Sequence, residues 1–151
     1  MKLRVLLVTG LFAITGTTAA VASAPPAVHV RNAWIRWLPA GLPSGAYATI
    51  ANGGGATVRL TGASSPDYGM VMLHESRLAH GDSSMVMIDH LDIPAHGSAT
   101  LAPGGYHLML MHAKKTIKPG DKVPIILRFA GGETLQVDFP VLPANASGPP
   151  D

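Results

Sequence analysis

Pro103-Gly104-Gly105-Tyr106-His107-Leu108-Met109-Leu110-Met111 is the stretch on which the reading of this chain turns. A Pro-Gly-Gly turn signal runs straight into a short apolar segment with two-residue alternation, the signature of a strand that starts at a tight turn. Residues two apart in a strand share a face and lie about 6.6 Å from each other. His107, Met109 and Met111 therefore fall on one side, with Leu108 and Leu110 on the other. Both sides are apolar, so the alternation leaves open which of them faces a core.

Working outward, β-rich runs recur between Gly, Pro, Asn and Asp clusters: 28–37, 45–51, 57–62, 71–76, 84–88, 98–101, 122–129 and 133–139. Ala130-Gly131-Gly132 reads as the turn of a final hairpin. After residue 24 no segment carries a long 3.6-residue apolar period. Seven or more short strands at this spacing predict an all-β fold, an antiparallel sandwich or barrel. The 13% charged and 47% hydrophobic composition, with 17 Gly and 13 Pro, fits a folded sheet protein with many turns. Length fits one domain, expected over 25–141, and the Pro-, Ala-, Gly- and Ser-rich 142–151 is expected to be a disordered tail.

Residues 1–24 read as a signal peptide. Lys2 and Arg4 precede the apolar run 5–14, and small residues follow up to Ala24, with cleavage after Ala22 or Ala24. The apolar run is about half the roughly 20 residues of a membrane-spanning helix, so no span is expected in the mature form. Removing Lys2 and Arg4 leaves nine basic against nine acidic residues, and the formal charge falls from +2 to zero. That balance gives no basis for nucleic-acid binding. Cysteine is absent, which excludes thiolate metal sites, Cys nucleophiles and lipidation on Cys. Soft-metal chemistry must then rest on thioether and imidazole.

Met70, Met72, His74, Met85, Met87, His107, Met109 and Met111 crowd into three strand segments. Met72 shares a face with His74, Met85 with Met87, and His107 with Met109 and Met111, so three strands can carry soft donors to one place. The competing reading is packing. Met fills irregular cores, and Met70, Met72, Met87 and Met111 would all suit a sandwich interior.

The spacing from His74 to Met85, His107 and Met109, His-x10-Met-x21-His-x-Met, resembles the signature of the periplasmic copper chaperones of the PCuAC family. Random placement of seven His and seven Met would give it about once in a thousand such chains. The resemblance continues through Val30-Arg31-Asn32-Ala33-Trp34-Ile35-Arg36, Gly45-Ala46-Tyr47-Ala48-Thr49-Ile50, Gly62-Ala63-Ser64-Ser65-Pro66, Leu73-His74-Glu75, the run from Pro103 to Met111, and Lys118-Pro119-Gly120-Asp121. It implies a cupredoxin-like β-sandwich of Greek-key type. It also implies one Cu(I) held by His74, Met85, His107 and Met109, and delivery to the binuclear copper centre of cytochrome c oxidase subunit II, directly or through a second copper chaperone. A periplasmic monomer is expected. The chain departs from the pattern at Glu75, where many members carry Met. It departs again in Pro143 to Asp151, which lacks the His- and Met-rich extension some members use for further copper.

Chemistry agrees with the implied ion, because thioether sulfur favours Cu(I) over hard cations. A blue-copper electron carrier needs a Cys thiolate and is excluded. No Ser-His-Asp arrangement or nucleophile elbow is evident, and an N-terminal His brace would need cleavage after Val28, so no enzyme is expected. Two rival readings are a non-catalytic assembly sandwich and a passive copper sink. Glu75 as a partner orienting an imidazole, Trp34 and Trp37 as shields of a sulfur site, and Lys114, Lys115 and Lys118 as a docking patch each compete with a plainer packing or surface reading. His29, His80, His90, His96 and His112 receive no role.

Overall fold

The structure is a computed structural model that describes residues 27–39 and 41–149. The expected signal peptide, 1–24, lies outside the described residues. Among those described there are ten strands and no helix: β1 Val28–Arg36, β2 Ser44–Asn52, β3 Val58–Ser64, β4 Tyr68–Ala79, β5 Asp82–Met87, β6 Leu91–Ile93, β7 Gly97–Leu101, β8 Tyr106–Ala113, β9 Lys122–Phe129 and β10 Thr134–Leu142.

One layer runs β5-β4-β8-β2-β1, with β7 and β8 sharing the same edge of β2 end to end. The other runs β6-β3-β9-β10. Pairing is antiparallel apart from two short parallel contacts. One of these, Ile35 with Val141 and Arg36 with Leu142, joins the layers; the other is Leu101 with Tyr106. The chain shuttles between layers, which makes this a β-sandwich, as expected from the run of short strands.

The core forms where the inward faces meet. Ile35, Ile50, Leu73, Leu108 and Leu110 from the first layer pack with Leu60, Ile93, Val123, Ile125, Leu127 and Phe139 from the second. Leu108 and Leu110 are fully buried. The open question of the β8 alternation is thereby settled: leucines turn inward, and His107, Met109 and Met111 take the outer face.

Two features differ from the sequence reading. Strand β6 was not foreseen, because three residues followed directly by Pro94 are too few for a period to show. Strands β4 and β5 run on past Ser76 into a hairpin turned by His80 (φ 54°) and Gly81 (φ 88°). Paired positive φ values suit the two-residue turn that matches strand twist. His80 is thus a turn residue. It lies six residues, about 20 Å of strand, from His74. Beyond β10, Ala146 N donates to Pro143 O (3.0 Å) in a turn, and Arg36 Nη2 donates to Ala146 O (3.1 Å).

Candidate metal centre

Strands β8, β4 and β5 lie side by side, and their register decides which side chains meet. Across β4 and β8, His74 pairs with His107, Met72 with Met109, and Met70 with Met111. Across β4 and β5, His74 pairs with Met87 and Ser76 with Met85. Since Leu73, Leu108 and Leu110 are buried on the inner side, all of these histidines and methionines occupy the outer face.

His74 is the hub of this array. His107 faces it on one side, with ring centroids 5.7 Å apart in an edge-on arrangement of 72°. Met87 faces it on the other. Met109 and Met85 take opposite diagonal positions, each about 8 Å from His74 between Cα atoms by ideal sheet spacings. Of the four residues that the resemblance put forward, the other three therefore lie around His74. The strand register adds Met72 and Met87, which sequence left open between core and face. Met85 is 60% and Met87 64% exposed, so the β5 thioethers stand in solvent while His107 is buried.

The imidazoles are prepared differently. His107 Nδ1 lies 3.1 Å from Gly105 O. A carbonyl only accepts, so Nδ1 carries the proton and the Nε2 lone pair is left for an ion. Metal-bound histidines commonly use this kind of tether to fix tautomer and ring orientation. Gly105 owes its place to the turn ahead of β8, and its carbonyl also accepts from Ser76 N at 3.0 Å. His74 Nδ1 is closed to solvent and has no hydrogen-bond partner, an arrangement that a bound cation would satisfy. Among the described residues no three of His, Asp and Glu gather into a group, so the donors on this face are two imidazoles and a set of thioethers.

Burial, and secondarily the charge of His107, hold the His74 pKa below the ordinary 6.5. The folded state then binds fewer protons than the unfolded chain near that pH. The His74 contribution to stability is complete above 6.5 and is lost as pH falls through the lowered folded value. The same shift keeps His74 neutral, hence able to ligate, below the point where a free imidazole protonates. Cu(I) affinity is accordingly expected to persist somewhat below the ordinary imidazole value of 6.5 and to fall as His74 protonates at lower pH. Competition titrations from pH 4 to 8 check this, and a flat profile would remove histidine from the site.

Other residues fall elsewhere. Glu75 is paired with Arg77 at 2.7 Å, so it is an ion-pair partner and not an imidazole's. Trp34 is buried on Tyr47 (4.8 Å between rings), with the Arg36 guanidinium 5.4 Å from its ring centre. Trp37 donates Nε1 to Ile117 O at 2.8 Å. Trp34 thus serves packing, and Trp37 serves packing and hydrogen bonding. Lys115 and Lys118 are tied to Asp67 and Asp121, each at 2.9 Å. His96 and His112 hold left-handed backbone positions.

A family model described as "Putative lipoprotein LpqE-like" matches residues 28–141. A relative from Leifsonia xyli subsp. xyli, "Putative lipoprotein Lxx21020", is 35% identical over 115 residues, 76% of this chain and 69% of its own. The solution structure of Cu(I)-bound DR1885 from Deinococcus radiodurans is 33% identical, with a TM-score of 0.64 over 82% of this chain and 83% of that one. The copper-bound PCuAC domain from PmoF2 superposes with a TM-score of 0.66 over 82% of this chain and 99% of that domain, at 22% identity, a likeness of fold.

Proposed function

The chain belongs to the LpqE-like family and has the PCuAC fold, and from that membership together with the His/Met face of β5, β4 and β8 we propose that it is an exported copper chaperone. It binds one Cu(I) through His74, Met85, His107 and Met109. The observation that carries this reading is the His74–His107 pair, edge-on with ring centroids 5.7 Å apart, with the His107 tautomer fixed and thioethers on both flanks. The likeness to a Cu(I)-bound protein at 33% identity supports the choice of ion. Export is supported by the lipoprotein descriptions of the family and of the Leifsonia xyli relative.

Every donor in this set is neutral when it ligates. The thioethers need no deprotonation, and His107 is already in the required tautomer. Met85 stands on an exposed edge strand, so it is the donor an acceptor's ligand meets first. Exchange of thioethers one at a time would pass the ion on without leaving it bare. The acceptor proposed is the binuclear copper centre of cytochrome c oxidase subunit II, reached directly or through a second copper chaperone. The role is carriage, without catalysis.

Copper X-ray absorption on the Cu(I)-loaded protein is expected to report both nitrogen and sulfur donors. A first shell lacking sulfur would remove the assignment. Mixing the loaded protein with purified apo-subunit II is expected to move copper to the subunit; retention would instead identify a passive sink.

A further inference from the structure

The proposed centre uses one end of the β4–β8 face and leaves the other unexplained. Beyond the His74–His107 rung lie the Met72–Met109 rung and then the Met70–Met111 rung. Successive rungs are two residues apart, about 7 Å along the strands, and facing residues in an antiparallel pair have Cα atoms about 4.5–5.5 Å apart. Four thioethers thus form a two-by-two block on a face that fills no core. Met70 is 44% exposed, and the residues between these methionines, buried Leu110 and partly buried Val71, already supply the packing beneath. No charged residue occupies an outward position of β4 or β8 between the histidine rung and Met70–Met111.

We propose that Met70, Met72 and Met111, with Met109 shared, form a second soft-metal site, a thioether station next to the histidine centre. The inference rests on the copper reading above and extends it. A block of neutral sulfur donors without oxygen ligands selects a soft monovalent ion and offers little to Ca2+, Mg2+ or Zn2+. Met109 belongs to both groups, so an ion moves between them by exchanging one ligand at a time while sulfur stays bound. Lacking imidazole, the station binds more weakly than the centre and loads after it.

Silver(I), redox-inert and diamagnetic, stands in for Cu(I) in a titration followed through the 13C-labelled methyl groups of methionine. The first equivalent is expected to shift the Met85 and Met109 methyls, and the second those of Met70, Met72 and Met111. The M70L/M111L variant, which keeps shape and removes sulfur, is expected to keep the first equivalent and lose the second. If Met70 and Met111 stay unmoved under excess silver while Met85 and Met109 respond, the station is overturned and the copper centre stands. If no methionine methyl moves, both readings fall together.

Discussion

Replacing His107 with Ala is expected to lower Cu(I) affinity by more than about a hundredfold. Loss of a partner that merely orients a metal ligand typically costs about 10–100-fold, and His107 is placed to be a ligand itself. Its Nδ1 proton is committed to Gly105 O, and its ring lies 5.7 Å from that of His74. The variant leaves His74 Nδ1 without a hydrogen-bond partner, as before, but without the second imidazole. Competition against a Cu(I) chelator at pH 7 measures the loss, and circular dichroism of the apo-protein establishes that the fold survives. Wild-type affinity in a folded His107→Ala protein would show that the ring pair is a packing contact.

How much of this centre the sequence disclosed depends on the residue. The likeness of the histidine and methionine spacing to a family signature put His74, Met85, His107 and Met109 forward as a set, and the strand runs implied that they approach one another. Which face they occupy was not legible, because Leu108 and Leu110 are as apolar as Met109 and Met111. Only the arrival of the second layer, with Ile125, Leu127 and Phe139 against the leucines, makes one face interior. Met87 was obscured for a related reason. Its role depends on the β4–β5 register, and that register is fixed by the His80-Gly81 turn, whose positive φ values are not announced by a familiar Asn-Gly or Asp-Gly pair. The flanking Ser83 and Ser84 were a usable signal, since a strand carrying Met85 and Met87 among serines has little to bury and suits an exposed edge. Strand β9 needed no such help: Val123, Ile125, Leu127 and Phe129 alternate strictly and all reach the core.

The same division of faces yields the second large effect. Leu108→Ala is expected to destabilise the apo-protein by about 2–5 kcal/mol, the range for truncating a fully buried leucine. Set against a total stability of about 5–15 kcal/mol, that is a large share. Met109→Leu, one residue along, is expected to cost less than about 1.5 kcal/mol, because it keeps volume on a partly exposed face. The stabilisation gained from copper should rank the two variants the other way. An ion that binds only the folded state adds about 4 kcal/mol when its free concentration is a thousand times Kd. Leu108→Ala keeps every donor and should gain nearly the wild-type increment. Met109→Leu lacks one donor and should gain less. Denaturant midpoints with and without Cu(I) read both terms. Should Met109→Leu prove as costly to the apo-protein as Leu108→Ala, the outer face is a packed interior and holds no room for an ion. Should both variants gain the full increment from copper, Met109 is no ligand, and the thioether beside His107 belongs to structure alone.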